Sequence, residues 1–356
     1  MTPVDLSTTV LHAVRRAVRE DALRAPVPAR VRVERTRPGG RGEYASAVAL
    51  QLAGPAGLGA REVAEILRDR LAGAPGVAGV EITGPGFLNF TLDASAGAAA
   101  HRDLVHRVRE RGERYGYGDA LAGQRLSLVH AREVRAAVTA DALRRLLSAQ
   151  GAVVRVSCEG EPDPEWARLG VSAEAPGAQA EAPIRPVPAG HTAAALLTRL
   201  GPDATRWGLL RPAGHDHAPL GPELLVQTEA NALFRVRYAY ARARAVLRGA
   251  GRLGVAVAGD GEDIDATGAD TLLALLDAHP AVLAAAARHR APDRLARHLE
   301  AVAGAFFDFH DAAPSLPVGD EKPSAAHRSR TAVAEAAGAV LAGGLSLLGV
   351  SAPEHL

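Results

Sequence analysis

Apolar positions near the start of the chain recur at helical spacing. Val10, Leu11, Val14 and Val18 fall on one side of a helix predicted over residues 6–23. Val31 and Val33 alternate with arginines and predict a short strand. Residues 44–53, YASAVALQLA, read as a helix or as a passage from strand to helix. Residues 61–71 form a clear amphipathic helix, with Val63, Ile66, Leu67 and Leu71 inward. Residues 77–92 read as two strands broken by Gly84-Pro85-Gly86. This pattern predicts a small α+β domain over 1–95.

Residues 96–215 open with a charged helix at 101–114. A strand at 125–130, a helix at 132–150 and a strand at 152–157 then make the β-α-β start of a nucleotide-binding fold. The pattern breaks off at 159–190, rich in Glu, Pro, Ala and Gly, which reads as a linker. A short helix at 191–200 leads into Gly201-Pro202-Asp203. The remainder, 216–356, is helical throughout, with helices at 223–248, 269–277, 280–288, 292–311 and 325–348. Pro280 and Pro292 suit first-turn positions. The expected fold class is multidomain: a small α+β N-terminal domain, a reduced α/β Rossmann-like remnant and a C-terminal all-α helical bundle.

Composition narrows the function. The 356 residues carry a net charge of +1 and are 47% hydrophobic and 23% charged. This excludes a histone-like coat on nucleic acid but leaves room for a local basic face. Lys322 is the sole lysine, and the arginine, alanine and glycine bias reads as high-GC coding. The sole cysteine, Cys158, makes neither an intrachain disulfide nor a Cys-based zinc site, and no base stands near it in sequence. His215-Asp216-His217 lacks a third ligand at metal spacing, so no metal is expected. No stretch of eighteen apolar residues is free of charges and glycines, and no leader pattern opens the chain. The expectation is a cytoplasmic protein with no membrane partner.

One basic face stands out. Within 231–248, Arg237, Arg244 and Arg248 lie near one side of a helix, and Arg235, Tyr238 and Arg242 form an adjacent stripe. Guanidiniums hold phosphates and tyrosine faces stack on unpaired bases. The helical period puts Val236 and Tyr240 inward and Tyr238 outward. A solvated helix with an ordinary aromatic core would carry the same spacing.

Three segments, in order, resemble arginyl-tRNA synthetases. They are GEYASAVALQLA at 42–53 with TGPGFLNFTL at 83–92; GPDATRWGLL at 201–210; and NALFRVRYAYARARAVL from Asn231, continuing through PDRLARHLEAVAGAFFDFH to GLSLLGVSAPEHL. The first resembles the family's N-terminal domain. The second resembles the strand and turn before its anticodon domain. The third resembles the whole DALR-type anticodon-binding domain. The resemblance implies tRNA as partner, with arginine tRNA the first candidate. Phe87 and Asn89 would hold a D-loop base. Asn231, Arg235, Arg237, Tyr238, Arg242, Arg244, Arg248 and the C-terminal segment near Ala352 would meet the anticodon arm.

The middle departs from the family pattern. Read back from the helix ADALRRLL, the first adenylation motif becomes His130-Ala131-Arg132-Glu133-Val134-Arg135, with arginine for glycine and glutamate for the second histidine. The Lys-Met-Ser motif has no counterpart. Adenylation needs positive charge and backbone donors on migrating phosphates. The expectation is therefore a non-catalytic tRNA-binding protein that binds no ATP or other cofactor. Two alternatives stand beside it. One is a regulatory partner of a genuine synthetase or of an amino-acid biosynthesis enzyme. The other is residual arginine–tRNA ligase activity with ATP.

Overall fold

The computed structural model describes residues 3–36, 41–172, 182–259, 261–262, 264–265 and 267–356. It divides into two compact units, 1–103 and 104–356.

In the first unit, α1 (Pro3–Arg19), α2 (Val48–Ala56) and α3 (Ala60–Leu71) accompany a sheet of β1 (Glu34–Arg35), β2 (Tyr44–Ser46), β3 (Val77–Thr83) and β4 (Phe87–Leu92). The sheet is antiparallel in the order β1-β2-β4-β3. Leu6, Val10 and Val14 of α1 and Val63, Leu67 and Leu71 of α3 are buried with Leu88 and Phe90 of β4. The stretch 44–53 is the strand-to-helix passage of the two readings its sequence allowed. Gly86 sits at φ 139° between β3 and β4, and a Cβ there would stand 2.7 Å from the Ala60 carbonyl oxygen. Only glycine suits that turn.

The helix α4 (Ala94–Arg111) runs from the first unit into the second. The second unit holds a parallel sheet of β5 (Arg125–His130), β6 (Val153–Cys158) and β7 (Ala182–Ile184), in the order β6-β5-β7, with α5 (Val134–Ala149) as the β5–β6 crossover. Five helices complete it: α6 (Ala193–Leu210), α7 (Ala232–Arg252), α8 (Asp270–Arg288), α9 (Pro292–Ala312) and α10 (Ala325–Leu348). One core runs through both parts, from Leu128 and Leu143 through Leu196 and Trp207 to Leu299, Phe306 and Leu345. The chain thus divides at Asp103, within α4, and the boundary expected at 216 is not a break in packing.

Several elements differ from expectation. The stretch 159–190, expected as linker, contains β7, which pairs with β5 through Leu128, Val129 and His130. Residues 173–181 of that stretch lie outside the described residues. Residues 201–210, expected as strand and turn, are helical. The helix α6 kinks at Gly201 (φ 72°) and continues through Pro202, which carries no N–H to lose. The helix α8 passes through Pro280, where two helices were expected. The helix α7 begins nine residues later than its apolar pattern suggested, because Asn231 caps it. By length and composition α8 and α10 are apolar enough to cross a membrane, but a buried core helix has the same character, and α10 is a buried helix of the core.

A buried ion pair ties the second unit together. Asp141 of α5 accepts from Arg206 of α6 at 2.8 Å, and Arg206 also donates to the carbonyls of Leu169 and Leu348. Gly349, which ends α10 at φ 69°, makes room for it: a Cβ there would stand 2.4 Å from the guanidinium carbon. Burial pushes the Asp141 carboxyl up, but Arg206, Arg144 and Arg145 outweigh it and hold the group below its ordinary range.

Candidate nucleic-acid interface

The helix α7 starts where the Asn231 side chain accepts from the N–H groups of Leu233 and Phe234 and donates to the carbonyls of Leu224 and Val226. Asn231 is buried, and its amide is committed to this cap. In this arrangement the side chain positions the start of the helix.

Val236 and Tyr240 of α7 are buried, and Tyr238 is 42% exposed. Tyr238 lies between two rings, Phe234 of α7 and Phe307 of α9, each with centroids 5.6 Å away and near-parallel planes. Three aromatic faces thus form one stack with an open central ring. Arg235 flanks it, its side chain without a partner among the described residues. Arg242 donates to Nε2 of His310 at 3.0 Å. Burial and the Arg242 charge lower the His310 pKa, so the imidazole accepts as a neutral ring.

The other arginine stripe is occupied by the chain's own C-terminal segment. Arg237 pairs with Asp203 at 3.6 Å and donates to the Ser351 hydroxyl. Ser351 in turn donates to Asp203 through its N–H and its hydroxyl. Arg244 and Arg248 pair with the Glu354 carboxylate at 2.8 and 3.7 Å. Ala352 packs half-buried against the core. Sequence reasoning missed Glu354, Asp203 and Phe307 as parts of this surface. Their distance along the chain leaves no local signal.

In the first unit, strand alternation sends Leu88 and Phe90 to the core and Phe87 and Asn89 to the other face. These two line a cavity of about 840 Å³ with Arg32, Arg35, Arg41 and Gln51. The Phe87 ring is 38% exposed. The Asn89 amide donates to the Thr83 hydroxyl at 2.6 Å.

The His130–Glu133 turn joins the C-terminal end of β5 to α5. His130 is buried against Trp166, with ring centroids 5.5 Å apart, and burial lowers its pKa. Ala131 is half-buried and its carbonyl lies 2.8 Å from His130 Nδ1. Arg132 donates to the Glu161 carbonyl. The Glu133 carboxylate caps α5 by accepting from Ala136 N–H, and its other oxygen accepts from Ala189 N–H, each at 2.9 Å. The helix dipole favours that charge.

A family model described as the arginyl tRNA synthetase N terminal domain matches residues 5–92, and one described as the DALR anticodon binding domain matches residues 236–356. Both ends of the chain thus match domains of arginyl-tRNA synthetase type. An arginine–tRNA ligase of Renibacterium salmoninarum is 28% identical over 553 aligned positions, covering 100% of both chains. Since this chain has 356 residues, that relative carries stretches without counterpart here. An arginine–tRNA ligase of Micrococcus luteus is 40% identical over 169 residues, 43% of this chain and 30% of the relative. The fold matches the arginyl-tRNA synthetase of Thermus thermophilus with a TM-score of 0.67 at 14% identity, covering 100% of both chains. That of Plasmodium falciparum matches with a TM-score of 0.69 at 10% identity over 99% of each.

These findings overturn the expectation of a non-catalytic chain. Relatives aligned along its full length are named arginine–tRNA ligase, an enzyme. That expectation rested on the side chains at 132 and 133 and on a missing lysine motif. The α/β scaffold carrying those positions is present as β5, α5, β6 and β7.

Proposed function

We propose that the chain binds tRNA, stacking an unpaired anticodon-loop base on the aromatic face of α7 and meeting the D-loop at the Phe87–Asn89 cavity. The stack of Phe234, Tyr238 and Phe307 carries the reading. The exposed edge of Tyr238 and the half-buried rings that flank it, with the unpartnered Arg235 beside them, offer a sequence-tolerant aromatic platform for a base and its phosphate. The test is the affinity of purified tRNA for Tyr238→Ala. It should fall by about 1–3 kcal/mol, the usual worth of one base stacked on an aromatic ring. Unchanged affinity in a folded variant would refute it.

The full-length relatives favour a second reading, arginine–tRNA ligase activity on the same RNA with ATP as co-substrate. It predicts arginine- and tRNA-dependent ATP–pyrophosphate exchange by protein prepared free of host synthetase. No exchange under conditions where tRNA binds would remove this reading and leave the first intact.

A further inference from the structure

A cavity of about 520 Å³ in the second unit is separate from the α7 stack and from the β5–α5 turn. It opens between the end of α6, the loop 211–216 and the α8–α9 corner, with Arg135 and Thr139 of α5 at its floor. Its lining is cationic. Arg290, Arg294 and Arg297 come from the corner, with the imidazoles of His215 and His289 beside them. The sole carboxylate among the lining residues, Asp293, is already paired with Arg297.

Two guanidiniums there have no partner. The side chains of Arg290 and Arg294 carry neither hydrogen bond nor ion pair among the described residues. Arg135 is 1% exposed and spends its N–H groups on the carbonyls of Leu209, Val187, Asp216, Pro212 and Ala213. Those carbonyls satisfy its donors but bring no net charge. The Glu133, Asp216 and Asp293 carboxylates lie close enough to act on its charge, so the uncompensated cations lining the space are Arg290 and Arg294. Arg290 also stands at φ 52°, just past the end of α8, a position that glycine favours. Its charged side chain lines the cavity.

We infer that this cavity binds a phosphate group. Planar guanidiniums match phosphate oxygens in paired hydrogen bonds, and the two free ones line one space. The phosphate comes either from the backbone of bound RNA, a source that rests on the tRNA-binding reading above, or from a small phosphorylated molecule.

The test uses the full chain with Arg290→Gly and Arg294→Gln combined. Glycine suits the backbone at 290, so the variant keeps its stability and a loss of binding is not a loss of fold. The probes are inorganic pyrophosphate, followed by calorimetric titration, and tRNA, followed across a salt series. If the source is RNA, tRNA affinity falls about 10-fold, and the slope of log affinity against log salt flattens by about 1–2 as two phosphate contacts are lost. If the source is a small molecule, the wild type binds pyrophosphate, the variant binds it at least about 10-fold more weakly, and tRNA affinity holds. The inference is overturned if the variant equals the wild type toward both probes. Tyr238→Ala separates this site from the α7 reading, because it should weaken tRNA and leave pyrophosphate untouched. Should the wild type bind no tRNA, the earlier reading fails and pyrophosphate alone decides this one.

Discussion

His279 and His298 lie inside the helical part with rings 5.2 Å apart, and Tyr115 stacks on the other side of His279. Burial, and then the neighbouring His298, lowers the His279 pKa to about 3; burial lowers that of His298 to about 4. Both rings are neutral in the folded chain and take up protons near pH 6.5 once unfolded. The stability they hold is therefore complete above pH 6.5 and is lost as pH falls from there toward 4. At about 1.4 kcal/mol per pKa unit the loss amounts to several kcal/mol. Urea unfolding from pH 7.5 to 4.5 should show this slope, and His279→Phe should flatten it. Parallel curves for the two proteins would refute the assignment. Asp141 titrates in a lower window, because Arg206, Arg144 and Arg145 outweigh its burial and hold its carboxyl below the ordinary carboxylate range. Asp141→Asn leaves Arg206 buried without its anion and should cost about 3–5 kcal/mol at neutral pH, read as a lower urea midpoint. The sequence showed Asp141 as the head of a DALR tetrapeptide. Its partner stands 65 residues further on, and only folding brings the two together.

Among the elements, α7 was the most legible and the C-terminal segment the least. A 3.6-residue period is enough to send Val236 and Tyr240 inward and Tyr238 outward. It says nothing of Phe307, which α9 delivers, or of Glu354, which follows the last helix. Nor does apolar spacing locate the start of α7; the Asn231 cap does. The Glu354 carboxylate holds Arg244 and Arg248 in ion pairs, and on the tRNA-binding reading it competes there with phosphate. Exposed pairs of this kind are worth about 0–1 kcal/mol, so RNA can displace them. Glu354→Gln should raise tRNA affinity by no more than about 5-fold, the equivalent of that energy, and steepen its salt dependence as two guanidiniums become available. A drop in affinity would instead make the C-terminal segment part of the binding surface.

At the scale of the molecule, each unit carries its own candidate RNA surface. Two weak sites on one chain reinforce each other when a ligand engages both at once. Phe87→Ala should therefore weaken intact tRNA by about 1–3 kcal/mol and leave an isolated anticodon stem-loop unaffected. Equal losses on both RNAs would mean that the substitution acts through folding. The two ends of the chain were legible because their motifs are local: FLNF in a strand, RVRYAYARAR on one helix. The middle was less so. The strand β7 is three residues long and flanked by proline-rich sequence, so neither period nor propensity marks it; pairing with β5 makes it a strand. That the Rossmann-like part shares its core with the bundle was also invisible, because apolar spacing shows which faces are buried but not against what.

The shared core sets how the chain should come apart on heating. Leu128, Leu143, Phe306 and Leu345 belong to one apolar cluster, so residues 104–356 melt together, and the separate core of 1–103 gives its own event. A calorimeter should record at most two transitions where a three-part chain would give three. A fragment cut at 216 would bare the apolar side of α9 and α10 to water and aggregate.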